Sequence, residues 1–194
     1  MTYHKLLIAN RGEIACRIMK TAHEMGISCV AVYTDADSES PFVKLADEAI
    51  KLTDTYLNGK EIIEAAISTG AQAIHPGYGF LSENAKFSRE VIKAGLIWVG
   101  PSSKVITSMG DKLKAKEIAD KAGVPTLPMT TEPSKANTVG YPLLIKAAAG
   151  GGGKGMRIVE SKKDLKDSIT SAQREAKVGF GDDRIFIERY VASS

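Results

Sequence analysis

Short apolar runs and helix-spaced apolar positions alternate through the first half of the chain. Lys5-Leu6-Leu7-Ile8-Ala9 is a short, largely apolar run, as expected of a buried parallel strand. A helix is expected from Glu13 to Met25. Ile14, Ile18, Ala22 and Met25 fall on one face of it, and Gly26 stops it. Ser28 to Tyr33 predicts the next strand and Ala49 to Leu52 a short third one. Asn58 caps a helix whose Ile62, Ile63, Ala66 and Ile67 point one way. Ala71 to His75 predicts a strand, Ser82 caps a helix ending at Gly95, and Leu96 to Val99 closes the series. This order predicts an open parallel sheet with helices on both faces. Ligands of such sheets gather at the carboxyl ends of strands. Two polar turns sit there, Asn10-Arg11-Gly12-Glu13 and His75-Pro76-Gly77-Tyr78-Gly79.

The pattern changes after Pro101. To Pro125 it predicts helices only, with Ala115, Ile118, Ala119 and Ala122 on one face of a helix over Asp111 to Ala122. Residues 126 to 140, rich in Pro, Thr and Ser, predict a linker or loop. A smaller unit follows. Leu143 to Ala147 and Met156 to Glu160 predict strands, and Ser161 with Asp164 resembles a capping box. Leu165, Ile169, Ala172 and Ala176 mark a buried helix face, and Ile185 to Tyr190 a final strand. That unit would leave sheet edges with nothing to pair, so the sequence is expected to be part of a longer one.

Composition narrows the function classes. The 194 residues, 43% hydrophobic, suit one domain or a domain and part of a second. The net charge of +3 is too balanced to argue for nucleic acid, and no basic stripe with interleaved aromatics appears. No apolar stretch is long enough for a membrane span and no targeting leader is visible, so a cytoplasmic protein is expected. Cys16 and Cys29, without a CxxC, fit reduced thiols.

The chemistry lies in Gly150-Gly151-Gly152-Gly153-Lys154-Gly155. Glycines without side chains let backbone N–H groups approach a phosphate closely, although a flexible hairpin tip has the same composition. A P-loop needs Ser or Thr after its lysine, but Gly155 and Met156 follow Lys154. A dinucleotide fingerprint would occupy the first strand-to-helix turn, which holds one glycine here. This run instead joins two strands, as a lid over phosphates would. Lys146 stands inside the apolar strand before it. An ammonium there needs a neutralising partner, which a polyphosphate would supply, or a route to water. Lys112 opens a helix, where a cation is mildly unfavourable; a ligand and simple exposure both account for it.

In this order, Ile8 to Ala15 (IANRGEIA), His75 to Asn84 (HPGYGFLSEN), Met109 to Lys112 (MGDK), Lys146 to Arg157 (KAAAGGGGKGMR) and Ile187 to Tyr190 (IERY) resemble the biotin carboxylases. These are the ATP-grasp components of biotin-dependent carboxylases. The resemblance implies an open parallel Rossmann-like (pre-ATP-grasp) domain over residues 1–101. A helical connector over 102–125 and an incomplete α+β ATP-grasp lid subdomain over 126–194 would follow. It implies that ATP phosphorylates bicarbonate to carboxyphosphate and that the carboxyl group passes to biotin on a carrier domain. Lys112 and Lys146 would hold phosphate oxygens under the amides of Gly151, Gly152, Gly153 and Gly155. Glu188 would accept from the adenine amino group, the backbone of Arg189 and Val191 would read the ring edge, and Met156 would pack on it. Tyr78 would lie near biotin, with His75 structural.

By the same resemblance the partners are ATP, bicarbonate, a biotin carboxyl carrier domain and a carboxyltransferase subunit. A homodimer would form through the first domain, with Arg17 and Glu24 on its helix. The residues for magnesium or manganese, bicarbonate and catalysis would lie beyond Ser194, so these residues alone are expected to be inactive. Residues 52 to 56 and the shortened stretch from Val124 to Gly140 depart from the usual pattern. Some acyl-CoA carboxylase alpha chains share these short loops, which favours them over pyruvate carboxylase or urea carboxylase. Another ATP-grasp ligase, or a non-catalytic nucleotide-binding module, would share the glycine lid and Lys146.

Overall fold

The computed structural model describes residues 3–149 and 155–192. The chain forms two compact units, dividing between Thr107 and Ser108. In the first, β1 (Lys5–Ile8), α1 (Gly12–Glu24), β2 (Ser28–Tyr33), α2 (Pro41–Leu45) and β3 (Glu48–Lys51) are followed by α3 (Gly59–Ser68), β4 (Ala73–His75), α4 (Ala85–Lys93) and β5 (Ile97–Trp98). All five strands are parallel, in the order β3-β2-β1-β4-β5.

Strand alternation sends successive residues to opposite faces of this sheet. Leu6, Ile8, Cys29 and Ala31 pack with Ile14, Ala15, Ile18 and Met19 of α1 and Phe42 of α2. Leu7, Val30, Val32 and Ile74 pack on the other side with Ile62 and Ala66 of α3 and with Phe87, Val91 and Trp98. Each large side chain fully removed from water contributes about 1.5–3 kcal/mol. Phe87 and Trp98 also meet edge to face, with ring centroids 5.6 Å apart.

Three local expectations change. Met25 is 67% exposed, because α1 ends at Glu24 and the chain turns away before Met25 can join the apolar face. Ile67 is exposed too; the buried face of α3 centres on Ile62, Ala65 and Ala66. The cap of α4 is Asn84, whose Oδ1 accepts the Phe87 N–H at 3.0 Å. Ser82 instead sits in the preceding turn, donating its N–H to the Gly79 carbonyl.

The chain continues through α5 (Ser103–Gly110), α6 (Lys112–Lys121), β6 (Met129–Thr130), α7 (Ala136–Val139), β7 (Leu143–Ala147), β8 (Arg157–Val159), α8 (Leu165–Phe180) and β9 (Ile185–Arg189). The last four strands form an antiparallel sheet in the order β6-β9-β7-β8. Its core joins Leu143, Ile145, Val159, Ile185 and Ile187 to Leu165 and Ala172 of α8.

The stretch expected as a loop over 126–140 is therefore a correction. It holds β6, a 3-10 turn and α7, and Ala136 and Val139 of α7 enter that core. Tertiary burial outweighs the Pro-, Thr- and Ser-rich composition. Conversely, none of the residues of α6 is buried, and Ile118 on its expected apolar face is exposed. Ser161 does not cap α8 directly. Its Oγ bonds Asp164 Oδ2 at 2.7 Å across a 3-10 turn, and α8 starts at Leu165.

Candidate nucleotide site and the strand-end turns

The β3-β2-β1-β4-β5 order reverses direction between β1 and β4, the crevice where open α/β sheets bind ligands. Both polar turns leave the sheet there, and one buried side chain ties them together. Asn10, 2% exposed, donates through Nδ2 to the Pro76 carbonyl at 2.7 Å and the Tyr78 carbonyl at 2.8 Å. Its Oδ1 accepts the Arg11 N–H at 2.9 Å. Gly77 has φ +65°, and a Cβ there would stand 2.8 Å from Asn10 Nδ2. The turn therefore needs glycine for both conformation and space.

His75 Nδ1 accepts the Gly77 N–H at 3.0 Å, a bond that spends the ring on shaping the turn. Burial, and then Arg17, lower its pKa. Tyr78 is exposed, and its hydroxyl stands 3.3 Å from Glu13 Oε2. Arg11 follows Asn10 and pairs with buried Asp37 through two bonds, at 2.6 and 2.5 Å. Asp37 Oδ2 also accepts from the Tyr56 hydroxyl at 2.6 Å. Arg11, against the opposing effect of burial, and Tyr56 hold the Asp37 carboxyl down to about 2.

In the second unit the sheet has two different faces. Leu143, Ile145 and Ala147 of β7 point into the core, while Leu144 and Lys146 point the other way. On β9, Phe186 pairs with Lys146 and Glu188 with Leu144. Lys146 and Glu188 are thus diagonal neighbours on the face opposite the core, within reach for long side chains. Lys146 Nζ lies 2.5 Å from Glu188 Oε2. Lys116, projecting from α6, pairs with Glu188 Oε1 and donates to the Leu127 carbonyl at 3.0 Å. Side-chain exposure is 7% for Glu188, 14% for Lys116 and 27% for Lys146. Burial pushes the Glu188 carboxyl up, but Lys116 and Lys146 outweigh it, so it stays ionised below its ordinary range.

The described residues supply Lys146 with a carboxylate of the protein itself, a pairing the sequence did not reveal. Lys116 was missed by the sequence reading. Its signal was available: it lies four residues beyond Lys112, one turn along the same helix face.

Around this centre, Asp111 caps α6, its Oδ1 accepting the N–H groups of Leu113 and Lys114 at 3.0 and 3.2 Å. Its other oxygen takes Arg184 at 3.1 Å. The Lys112 N–H donates to the Ala148 carbonyl at 3.2 Å, fastening the start of α6 to the end of β7. Gly155 has φ +73°, and a Cβ there would stand 3.2 Å from that of Ala147. Met156 and Val191 are exposed, and Arg189 donates its N–H to the Pro128 carbonyl at 3.1 Å. Gly151, Gly152 and Gly153 lie outside the described residues.

A parallel α/β unit followed by an antiparallel sheet carrying an ion-paired lysine is the arrangement of an ATP-grasp protein with its preceding domain. The family model for the biotin carboxylase N-terminal domain matches residues 2–106, and the chain belongs to the biotin carboxylase family. The model for the ATP-binding domain of the carbamoyl-phosphate synthase L chain matches residues 111–194.

The chain is 50% identical over 200 residues to the methylcrotonoyl-CoA carboxylase subunit alpha of Dictyostelium discoideum, covering 96% of this chain and 29% of that protein. It is 48% identical to the propionyl-CoA carboxylase alpha chain of Ruegeria pomeroyi, covering 97% and 30%. The chain thus spans about 30% of the length of such curated relatives. The biotin carboxylase domain dimer of Hydrogenobacter thermophilus 2-oxoglutarate carboxylase, in complex with MgADP, ADP and bicarbonate, superposes with a TM-score of 0.92. It is 42% identical and matches 99% of this chain and 45% of its own. A Campylobacter jejuni biotin carboxylase in an ATP-type complex gives the same TM-score and identity, covering 98% and 46%.

Proposed function

We propose that these residues form the N-terminal domain and part of the ATP-grasp fold of a biotin-dependent acyl-CoA carboxylase alpha subunit. Residues 1–101 would be the first domain, 102–125 a connector and 126–194 the lid subdomain. The protein would use ATP to phosphorylate bicarbonate and pass the carboxyl group to biotin on a carrier domain. A separate carboxyltransferase would then use it. The observation that carries this reading is the Lys116–Glu188–Lys146 cluster on the core-free face of the second sheet.

Lys146 and Lys112 hold phosphate oxygens, with the amides of Gly151, Gly152, Gly153 and Gly155 above them. Stabilising a transferring phosphoryl group is mostly positioning and cation contact, which these groups supply. Glu188 is an ionised acceptor facing the adenine amino group. Met156 packs on the ring. With its N–H spent on Pro128, Arg189 reads a ring edge through its carbonyl, and Val191 adds its backbone. Tyr78 lies beside biotin, and exposed Arg17 and Glu24 of α1 take part in a homodimer.

Magnesium accompanies nucleotides in this chemistry and prefers oxygen ligands. Among the described residues, the one cluster of three donors close enough to share an ion is His23, Cys29 and Asp47. A thiol and an imidazole do not suit magnesium, so no step is assigned to the ion here.

Carbamoyl-phosphate synthesis is the second reading, from the match over residues 111–194. The match over residues 2–106 and the acyl-CoA carboxylase relatives favour the first. Labelled bicarbonate supplied with ATP to the full-length protein and a biotinylated carrier should put label on the carrier with release of ADP. Label recovered in carbamoyl phosphate instead, on adding ammonia or glutamine, would reverse the choice.

A further inference from the structure

The two lysines on Glu188 are not equivalent. Lys146 is the more open, and among the described residues its ammonium meets the Glu188 carboxylate, whereas Lys116 is anchored a second time on the Leu127 carbonyl. Building on the ATP reading above, a polyphosphate arriving at Lys146 draws that ammonium away from Glu188. A carboxylate at 7% exposure, left without a cation, would take up a proton. A protonated carboxyl carries an O–H donor beside a weaker neutral acceptor, so it no longer prefers the amino group of adenine over a ring oxygen.

We propose that Lys116 is a positioning residue for base selection: it keeps Glu188 an anionic acceptor after Lys146 has moved to the phosphates. Adenine, with a donor at this ring position, is then favoured over hypoxanthine, whose oxygen there accepts. Lys116 touches neither base nor phosphate in this role; it acts through Glu188.

The test measures dissociation constants for ATP and inosine triphosphate in the full-length protein and in Lys116→Met, Lys116→Gln and Lys116→Arg. The Met and Gln variants should lose about tenfold in the ATP-to-inosine-triphosphate affinity ratio. Arg should restore most of it, because a guanidinium supplies the same charge. A ratio unchanged in both Met and Gln variants overturns the proposal, as does a ratio that falls equally in Arg. Should Met fail to fold, as judged by circular dichroism, the Gln and Arg pair still decides. Lys146→Ala separates the two levels. If it leaves ATP affinity unchanged, the ATP assignment itself fails; if it weakens ATP while the Lys116 variants keep the ratio, only the role of Lys116 fails.

Discussion

Lys146 and Glu188 lie 42 residues apart in the chain and 2.5 Å apart in space. Without Glu188, Lys146 would be an uncompensated charge on a half-covered sheet face, whereas Glu188 without Lys146 would still keep Lys116. Removing Glu188 as Glu188→Ala leaves two ammonium groups, 14% and 27% exposed, without a carboxylate. The expected cost is about 3 kcal/mol, read from urea denaturation. Glu188→Gln, which still accepts a hydrogen bond, should cost less.

The same pair predicts a pH dependence. The folded-state value of Glu188 lies below its ordinary 4.5, so its contribution is complete above that value and is lost as pH falls through the folded-state value. The stability difference between the natural protein and Glu188→Gln should therefore shrink as the pH is lowered from neutrality through and below 4.5. A constant difference across that range would contradict the ion pair.

Asn10 and Gly77 should be energetically coupled. Asn10→Ala removes the donor shared by the Pro76 and Tyr78 carbonyls, at about 1–3 kcal/mol for buried groups left unpaired. Gly77→Ala adds both a φ penalty at +65° and a clash with Asn10 Nδ2. In the Asn10→Ala background the clash with Asn10 disappears, leaving the conformational cost, about 1–2 kcal/mol, and the 3.2 Å approach to Ile14 Cγ1. A double-mutant cycle should show the two costs adding to more than the double variant loses, and strict additivity would show that the contact is absent.

Asp37 is held down to about 2 by Arg11 and, in smaller part, by Tyr56. Tyr56→Phe removes one 2.6 Å hydrogen bond to the carboxylate and leaves the arginine pairing in place. The Asp37 carboxyl should titrate higher in that variant, measured by NMR of the side-chain carbon. The stability that it contributes above its ordinary 3.8 should then be lost at a higher pH on acidification. An unshifted titration would remove Tyr56 from the network.

Much of the fold was legible in the sequence because the strongest signals are local. The apolar runs of β1 and β2 suit strands buried on both faces, as in a helix-covered parallel sheet, and Ile14, Ile18 and Ala22 mark the inner face of α1 at helical spacing. What failed depended on distant contacts. The composition of residues 126–140 predicts a loop, and only packing of Ala136 and Val139 against β7 and β9 makes α7 an ordered turn of helix. The choice of Asn84 over Ser82 as a cap depends on where the turn after Leu81 ends, which neither residue type announces. In the site, Lys146 was legible as a charge inside an apolar strand, and Glu188 through the family resemblance. Their pairing was not, because it follows from the β7–β9 register, and Lys116 enters only through the placement of α6.

The most direct test of the nucleotide assignment is the ATP dissociation constant of the full-length protein with Lys146→Ala, measured by calorimetry beside the natural sequence. The account predicts at least a tenfold weakening, equivalent to about 1.4 kcal/mol, with the fold retained because Lys116 still neutralises Glu188. An unchanged constant would contradict it, since Lys146 would then serve Glu188 alone.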